Sequence, residues 1–374
     1  MDALAAAMPS ISAAIEAADG PGDSSAGELP GAPRLSGALA RGEYAEIVAA
    51  LEAVPALACP NWAYFRRRHP AVPLHTLLGL FSQEAQYRVI RTHHTHKAGM
   101  AAYCVRYRAG CDVLELCAAA DFPPCLMMRR MLEHMLGLSK QRVSDALRDP
   151  ALLTRAPGGM LAGGGAAAGG AGECADETLL ARLRADVVRC SRADRSYSPY
   201  SDMAKGIAGL EHEAALYAAL EGAGVAHWSE QQLRDRGMYK TPDALLQVPI
   251  AVRCPMTGRW HIVHWIDSKA SFGDDRLHSQ ALEGQYRTYT NRYGSGAVVY
   301  WLGFISDLAL GGDAEDGNGG GGGGGGPSDG DGDGGGGGGG GGEVLLLERF
   351  PGPDDMRLLG PPHAAAAAAG GNAG

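Results

Sequence analysis

The chain has 374 residues and a formal net charge of −9. That leaves room for about two domains and argues against a uniformly basic nucleic-acid binder, so local patches matter more than the total. Eight cysteines lie scattered without a CxxC pair, which argues against a disulfide scaffold and fits reduced thiols in an intracellular protein.

Residues 1–40 are rich in Ala, Gly, Pro and Ser. They lack the basic start and apolar centre of a secretory signal, and their scattered acids speak against a transit peptide; they read as a disordered tail. Residues 41–156 carry helical patterns. Short apolar segments broken at Phe122-Pro123-Pro124, followed by Ser139 to Asp149 with Val143, Ala146 and Leu147 at helical spacing, predict an all-α helix-turn-helix domain. Between Cys59 and Pro157 there are 14 Lys/Arg against 7 Asp/Glu. Arg66, Arg67, Arg68, Lys140, Arg142 and Arg148 are therefore candidate phosphate contacts for a nucleic-acid partner. A helical bundle with solvated basic residues, or a protein-binding module, accounts for the same surplus. His93, His94 and His96 lack the i, i+4 spacing of helical metal ligands and read as polar surface groups at a helix end. Cys104, Cys111, Cys117 and Cys125 are irregularly spaced and read as buried thiols, not as a zinc set. No apolar run reaches the ~20 residues of a membrane span, so no membrane partner is expected.

Residues 157–175 form a Gly/Ala-rich linker, and 176–310 with 343–350 are assigned to one α/β domain. Its first helix, 176–190, has Leu180, Leu183 and Val187 on one stripe; the next ends near Glu221 and puts Glu213 on the face of Leu216 and Leu220, with Glu211 pointing elsewhere. After a first strand at 224–228 and a polar connector at 231–237, two apolar runs flank Cys254-Pro255-Met256-Thr257-Gly258, a β-hairpin pattern. Folding there brings Asp243 to the same end as Asp267, and Lys269 shares a face with Asp267. Two carboxylates and an ammonium at the rim of an apolar hairpin call for a counter-charge, and oxygen ligands of this kind favour Mg²⁺ or Mn²⁺. A surface ion pair between Lys269 and either aspartate accounts for the same spacing. A helix from about His278 to Arg292 places Gln285 and Tyr289 one turn apart, and 297–304 reads as a strand covered on both faces. Residues 311–342 carry six acids and no base among their glycines and read as a disordered insert, and 351–374 as a disordered tail.

Lys240-Thr241-Pro242-Asp243, the run Ile266 to Asp274 (IDSKASFGD) and Tyr300-Trp301-Leu302-Gly303-Phe304 are together similar to the TPD-motif proteins, the codanin-interacting nuclease family. Pro242-Asp243 with Asp267-Ser268-Lys269 resembles the PD-(D/E)XK nuclease signature in its Asp-x-Lys form. The resemblance implies a restriction-endonuclease-like α/β fold, a mixed sheet flanked by helices. It implies a Mg²⁺- or Mn²⁺-dependent nuclease acting on DNA. Asp243 and Asp267 would bind metal, completed by the Ser268 carbonyl and by Glu213, with Glu211 the second choice for the helix carboxylate. Lys269 would assist the attacking water, Gln285 would orient it or a phosphate, and Tyr289 would line the substrate groove. A codanin-like partner, a nuclear and cytoplasmic location and pairing as a homodimer belong to the same expectation. The alternative it allows is a catalytically weak nuclease fold acting as an interaction protein in chromatin or histone handling.

Overall fold

The computed structural model describes residues 36–154, 171–310 and 344–359. They fall into two compact units, Ala45–Leu210 and Ser36–Tyr44 with Glu211 onward.

After β1 (Ala38–Leu39), the helices α1 (Arg41–Glu52), α2 (Trp62–Arg68), α3 (Leu74–Ala98), α4 (Met100–Arg108), α5 (Val113–Ala120), α6 (Pro124–Leu136), α7 (Lys140–Arg148) and α8 (Ala171–Ala193) follow. Their limits are written locally. Asn61, Asp112 and Ser139 cap α2, α5 and α7 with side-chain oxygens, and Pro124 opens α6 where no amide is needed. Asp121 (φ 47°) and Gly137 (φ 62°) end α5 and α6 in the left-handed region. A turn of three residues, 137–139, then joins α6 to α7. Tyr107, Met127, Met131, Leu132, Val143 and Leu147 pack into one core with Leu183, Val187 and Cys190 of α8. Tyr107 donates its hydroxyl to the buried Asp186 of α8 at 2.8 Å.

Helix α8 thus belongs to the helical unit, not to the α/β unit as its position after the linker suggested. The stripe Leu180, Leu183, Val187 is an apolar face like any other, and its spacing does not say which core receives it. His96 also departs from expectation: it is buried, its ring tilted against Phe122 at 4.2 Å between ring centres, and burial lowers its pKa. Cys104, Cys117 and Cys125 are buried free thiols, and burial pushes Cys117 and Cys125 up to about 12.

The second unit continues with α9 (Pro199–Gly222, from Glu211), β2 (His227–Ser229), α10 (Glu230–Asp235), β3 (Ala244–Arg253), β4 (Trp260–Lys269), α11 (Asp275–Ala281), a π-helical turn (Leu282–Tyr286), α12 (Arg287–Tyr293), β5 (Gly296–Tyr300), β6 (Phe304–Ile305), β7 (Val344–Leu347) and β8 (Met356–Leu358). The sheet runs β2-β3-β4-β5-β7, with β8 on the far half of β3. β3 and β4 are antiparallel, whereas β4, β5 and β7 are parallel. The sheet is therefore mixed, as expected, and it is covered on both faces. Leu216 and Leu220 of α9 pack with Ile250, Val263 and Val299 on one side. Tyr286 and Tyr289 pack with Trp265, Val298 and Leu346 on the other.

Both terminal stretches read as disordered contribute strands. β1 pairs in parallel with β6, and Glu348 accepts from the Gly37 amide (2.8 Å) and the Ser36 hydroxyl (3.1 Å). Gly303, at φ +92°, lets this strand approach, because a β-carbon there would strike the Gly37 carbonyl. β8 lies beyond residue 351. Strands of two or three residues carry no periodicity of their own and exist only through distant partners.

Candidate active site

The hairpin turn is closed by Cys254 and Arg259, with the Cys254 amide donating to the Arg259 carbonyl at 2.8 Å and Gly258 at φ +70°. At its open end Ala244 pairs with Ile266 and Leu245 with Trp265, so one further step sets Asp243 against Asp267. The Ser268 amide donates to Asp243 Oδ2 at 2.6 Å. Lys269 Nζ sits 2.6 Å from Asp267 Oδ2 and donates to Gln285 Oε1 at 3.2 Å. Asp267 is 2% exposed.

Burial and then the Asp267 charge push Asp243 up to about 7, against the Ser268 amide and the Lys269 ammonium. Burial raises Asp267 as well, with Lys269 opposing. The buried Asp267 and the half-buried Asp243 repel, and a single ammonium does not satisfy both. Asp267 Oδ2 has Lys269 as an ion-pair partner but takes no well-directed hydrogen bond. Hard oxygen ligands on two acids whose joint charge one ammonium does not balance fit a divalent cation such as Mg²⁺ or Mn²⁺. Among the described residues no three His, Cys, Asp or Glu side chains gather into a metal cage. Two carboxylates with the remaining positions left to water or phosphate are the habit of Mg²⁺ sites.

Glu213 accepts from the Tyr217 hydroxyl at 2.8 Å, and that hydroxyl also lies 2.9 Å from the Asp243 carbonyl oxygen. The charge of Glu213 reaches Asp243 and helps raise it. Glu211, two residues away, is exposed. Of the two helix glutamates, it is Glu213 that borders the site, through Tyr217. Ser268 holds Asp243 through its amide, and its hydroxyl accepts from Trp301 Nε1 at 2.8 Å.

A family described as a protein of unknown function with the TPD sequence motif matches residues 180–316. CDAN1-interacting nuclease 1 of Mus musculus is 36% identical over 285 residues, covering 72% of this chain and 90% of that protein. The Homo sapiens protein is 35% identical over the same length and shares. That of Danio rerio is 37% identical over 253 residues, 63% of this chain and 74% of that protein. The chain belongs to the CDAN1-interacting nuclease 1 family. No solved structure matches it.

The stretch matched by the TPD-motif family contains Glu213, Asp243, Asp267, Lys269 and Gln285. It also contains residues whose part the sequence left unseen. Tyr217 was findable as the i+4 neighbour of Glu213 on the same helical face. Trp301 carries no signal in the sequence beyond its place in the YWLGF motif; its indole fixes Ser268, and its amide donates to the Lys269 carbonyl at 3.1 Å. In the IDSKASFGD run, Phe272 stacks on Tyr44 at 5.6 Å. Gly273 exchanges backbone bonds with Gly303 and Ile305, and Asp274 caps α11 through the Leu277 amide at 2.7 Å. That end of the motif frames the site without entering it.

Tyr289 corrects the expectation of a groove contact. It is 3% exposed, its ring meets Trp265 edge-on at 5.2 Å, and its hydroxyl donates to the Thr241 carbonyl at 2.9 Å. A tyrosine on the sheet-facing stripe of a helix is drawn into the core, and this one steadies the loop that enters β3. Gln285 is exposed on the π-helical turn, so the helix expected from 278 to 292 is interrupted at its active-site edge, a common place for such turns. The basic candidates all lie in the helical unit. Arg66, Arg67, Lys140, Arg142 and Arg148 are exposed. Arg68 is paired with Glu46 at 2.7 Å and Arg148 more loosely with Asp145 at 3.8 Å. Arg68 is thus a poorer phosphate contact than its neighbours, because the Glu46 carboxylate of α1 already occupies its fork.

Proposed function

We propose that this protein is a divalent-cation-dependent nuclease of PD-(D/E)XK type that hydrolyses phosphodiester bonds in DNA. The observation that carries the reading is the meeting of Asp243, Asp267 and Lys269 at the open end of one hairpin, with both acids raised by burial. A scaffold has no physical need for these three charges in so dry a place. The nuclease activity named for the relatives agrees with it.

Asp243 and Asp267 would hold Mg²⁺ or Mn²⁺, with Glu213 bordering them. The bound ion would polarise a phosphoryl oxygen and lower the pKa of water. Lys269 presents its ammonium beside the carboxylates, where it orients the attacking water and stabilises negative charge growing on the phosphoryl oxygens. Gln285 fixes that ammonium and offers its exposed amide to the same water or to a phosphate. The Ser268 amide holds Asp243 in place, and Trp301 holds Ser268. Lys140, Arg142 and Arg148, on the short helix after the three-residue turn, supply cationic contacts to duplex phosphates. A CDAN1-like protein is the partner that the relatives' name brings to this chain.

The test is cleavage of labelled duplex, single-stranded, flap and four-way DNA with Mg²⁺, Mn²⁺ or chelator, comparing the native protein with Asp243→Asn and Lys269→Met. Metal-dependent cleavage lost in both variants is expected. Cleavage surviving both would place the chemistry elsewhere, and binding without cleavage in any metal would favour the interaction-protein reading.

A further inference from the structure

Four residues before Asp243 the chain does something unusual for a surface loop. Tyr239 leaves 69% of its surface in solvent, yet its ring is not loose: the Arg292 guanidinium lies over it at 4.6 Å from the ring centre. The same guanidinium donates to the Tyr239 carbonyl at 2.7 Å. Lys240 follows at φ 49°, a left-handed conformation uncommon for a side chain of this kind, and its ammonium donates to the Gly284 carbonyl at 3.2 Å. The Thr241 carbonyl is held by Tyr289. Three successive residues are thus pinned to the segment 284–292, and the outcome of that pinning is an aromatic ring bedded on a cation and presented to solvent. Four residues of extended chain span at most about 14 Å, so the Cα of Tyr239 stands within that distance of the Cα of Asp243.

We propose that Tyr239, backed by Arg292 and flanked by Lys240, is a stacking platform for an unpaired nucleotide next to the scissile phosphate. This inference rests on the nuclease reading and adds to it a substrate feature: a single-stranded stretch, end or flap beside the cleavage point. A fixed aromatic face accepts any base, and adjacent cations hold its phosphate. A base inside an intact duplex has no free face to offer, so the platform discriminates by strandedness and not by sequence.

The test is fluorescence-anisotropy binding in chelator, without cleavage, using labelled single-stranded DNA, single-stranded RNA and blunt duplex DNA. The full-length native protein is compared with Tyr239→Ala, Tyr239→Leu and Tyr239→Trp, and thermal unfolding shows that each variant folds. Tyr239→Ala and Tyr239→Leu are expected to lose about tenfold or more on the single strands that the native protein binds, with duplex affinity unchanged and Tyr239→Trp retaining the native value. Native-like single-strand affinity in the Ala and Leu variants would overturn the platform alone. A native protein that binds none of the three probes would overturn the nuclease reading and the platform with it.

Discussion

The Ser268 amide donates to Asp243 Oδ2 at 2.6 Å, so the residue between Asp267 and Lys269 on one strand holds the acid at the entrance of the other. The hairpin's open end is thereby tied together, with a carboxylate at the entrance of one strand, another on its partner, and the ammonium paired with Asp267.

Removal of the ammonium should separate chemistry from binding. Lys269→Met is expected to lower kcat by roughly 10²- to 10³-fold, the cost of losing one preorganised charge at a transition state, while DNA affinity in chelator stays near native. Single-turnover kinetics beside a binding isotherm give the comparison.

The paired acids predict a pH-dependent stability. Asp243 is held up to about 7 and Asp267 also stands above the usual range, so the folded protein keeps protons that the unfolded chain releases near its ordinary value of 3.8. This contribution is full below that ordinary value and is lost as pH rises through about 7. In chelator, stability should fall across that window, and the thermal shift on adding Mg²⁺ should be larger at about pH 8 than at about pH 5, since a cation must displace the proton. Asp243→Asn should flatten the decline and abolish most of the shift. An equal shift at both pH values in the native protein would count against metal binding here.

The two helix glutamates differ in surroundings and should differ in effect. Glu213→Gln, next to Tyr217 and Asp243, is expected to reduce cleavage by about tenfold or more, whereas exposed Glu211→Gln leaves it unchanged. The reverse ranking would move the helix carboxylate back to position 211.

Tyr289→Phe deletes a buried hydroxyl and leaves the Thr241 carbonyl without its donor. A loss of about 1 kcal/mol in chemical denaturation is expected, with the salt dependence of DNA binding unaltered. A changed salt slope would return Tyr289 to the substrate groove.

Lys140→Ala with Arg142→Ala should weaken duplex binding across sequences and reduce the slope of log affinity against log salt by about 2. Unchanged slopes would assign these exposed cations to solvation or to a protein partner.

The hairpin and the approach of its acids were legible because both are local: a Pro/Gly turn, a run on either side, and the two-residue period that puts Asp267 and Lys269 on one face. The sheet's outer pieces were not. β1 needs Phe304 and Glu348, and β8 needs Ile250 to Val252, partners roughly a hundred to three hundred residues away that no window contains. The destination of α8 was hidden for a related reason, since an apolar stripe states that a face is buried and not against what. Tyr289 shows the limit for the site itself: one turn from Gln285, it is buried in the core while Gln285, on the π-helical turn, is exposed.

The grip of Glu348 on Ser36 and Gly37 also sets an order of events during synthesis. Every residue of the helical core, through Cys190, leaves the ribosome long before the strand that ends near Glu348, and domains form as their last pieces appear. The first strand must therefore wait, tethered ahead of an already folded helical body, until nearly the whole chain has emerged. A nascent chain halted before residue 344 would carry a finished helical unit and an α/β unit still missing both the central sheet's last strand and the carboxylate that anchors its beginning.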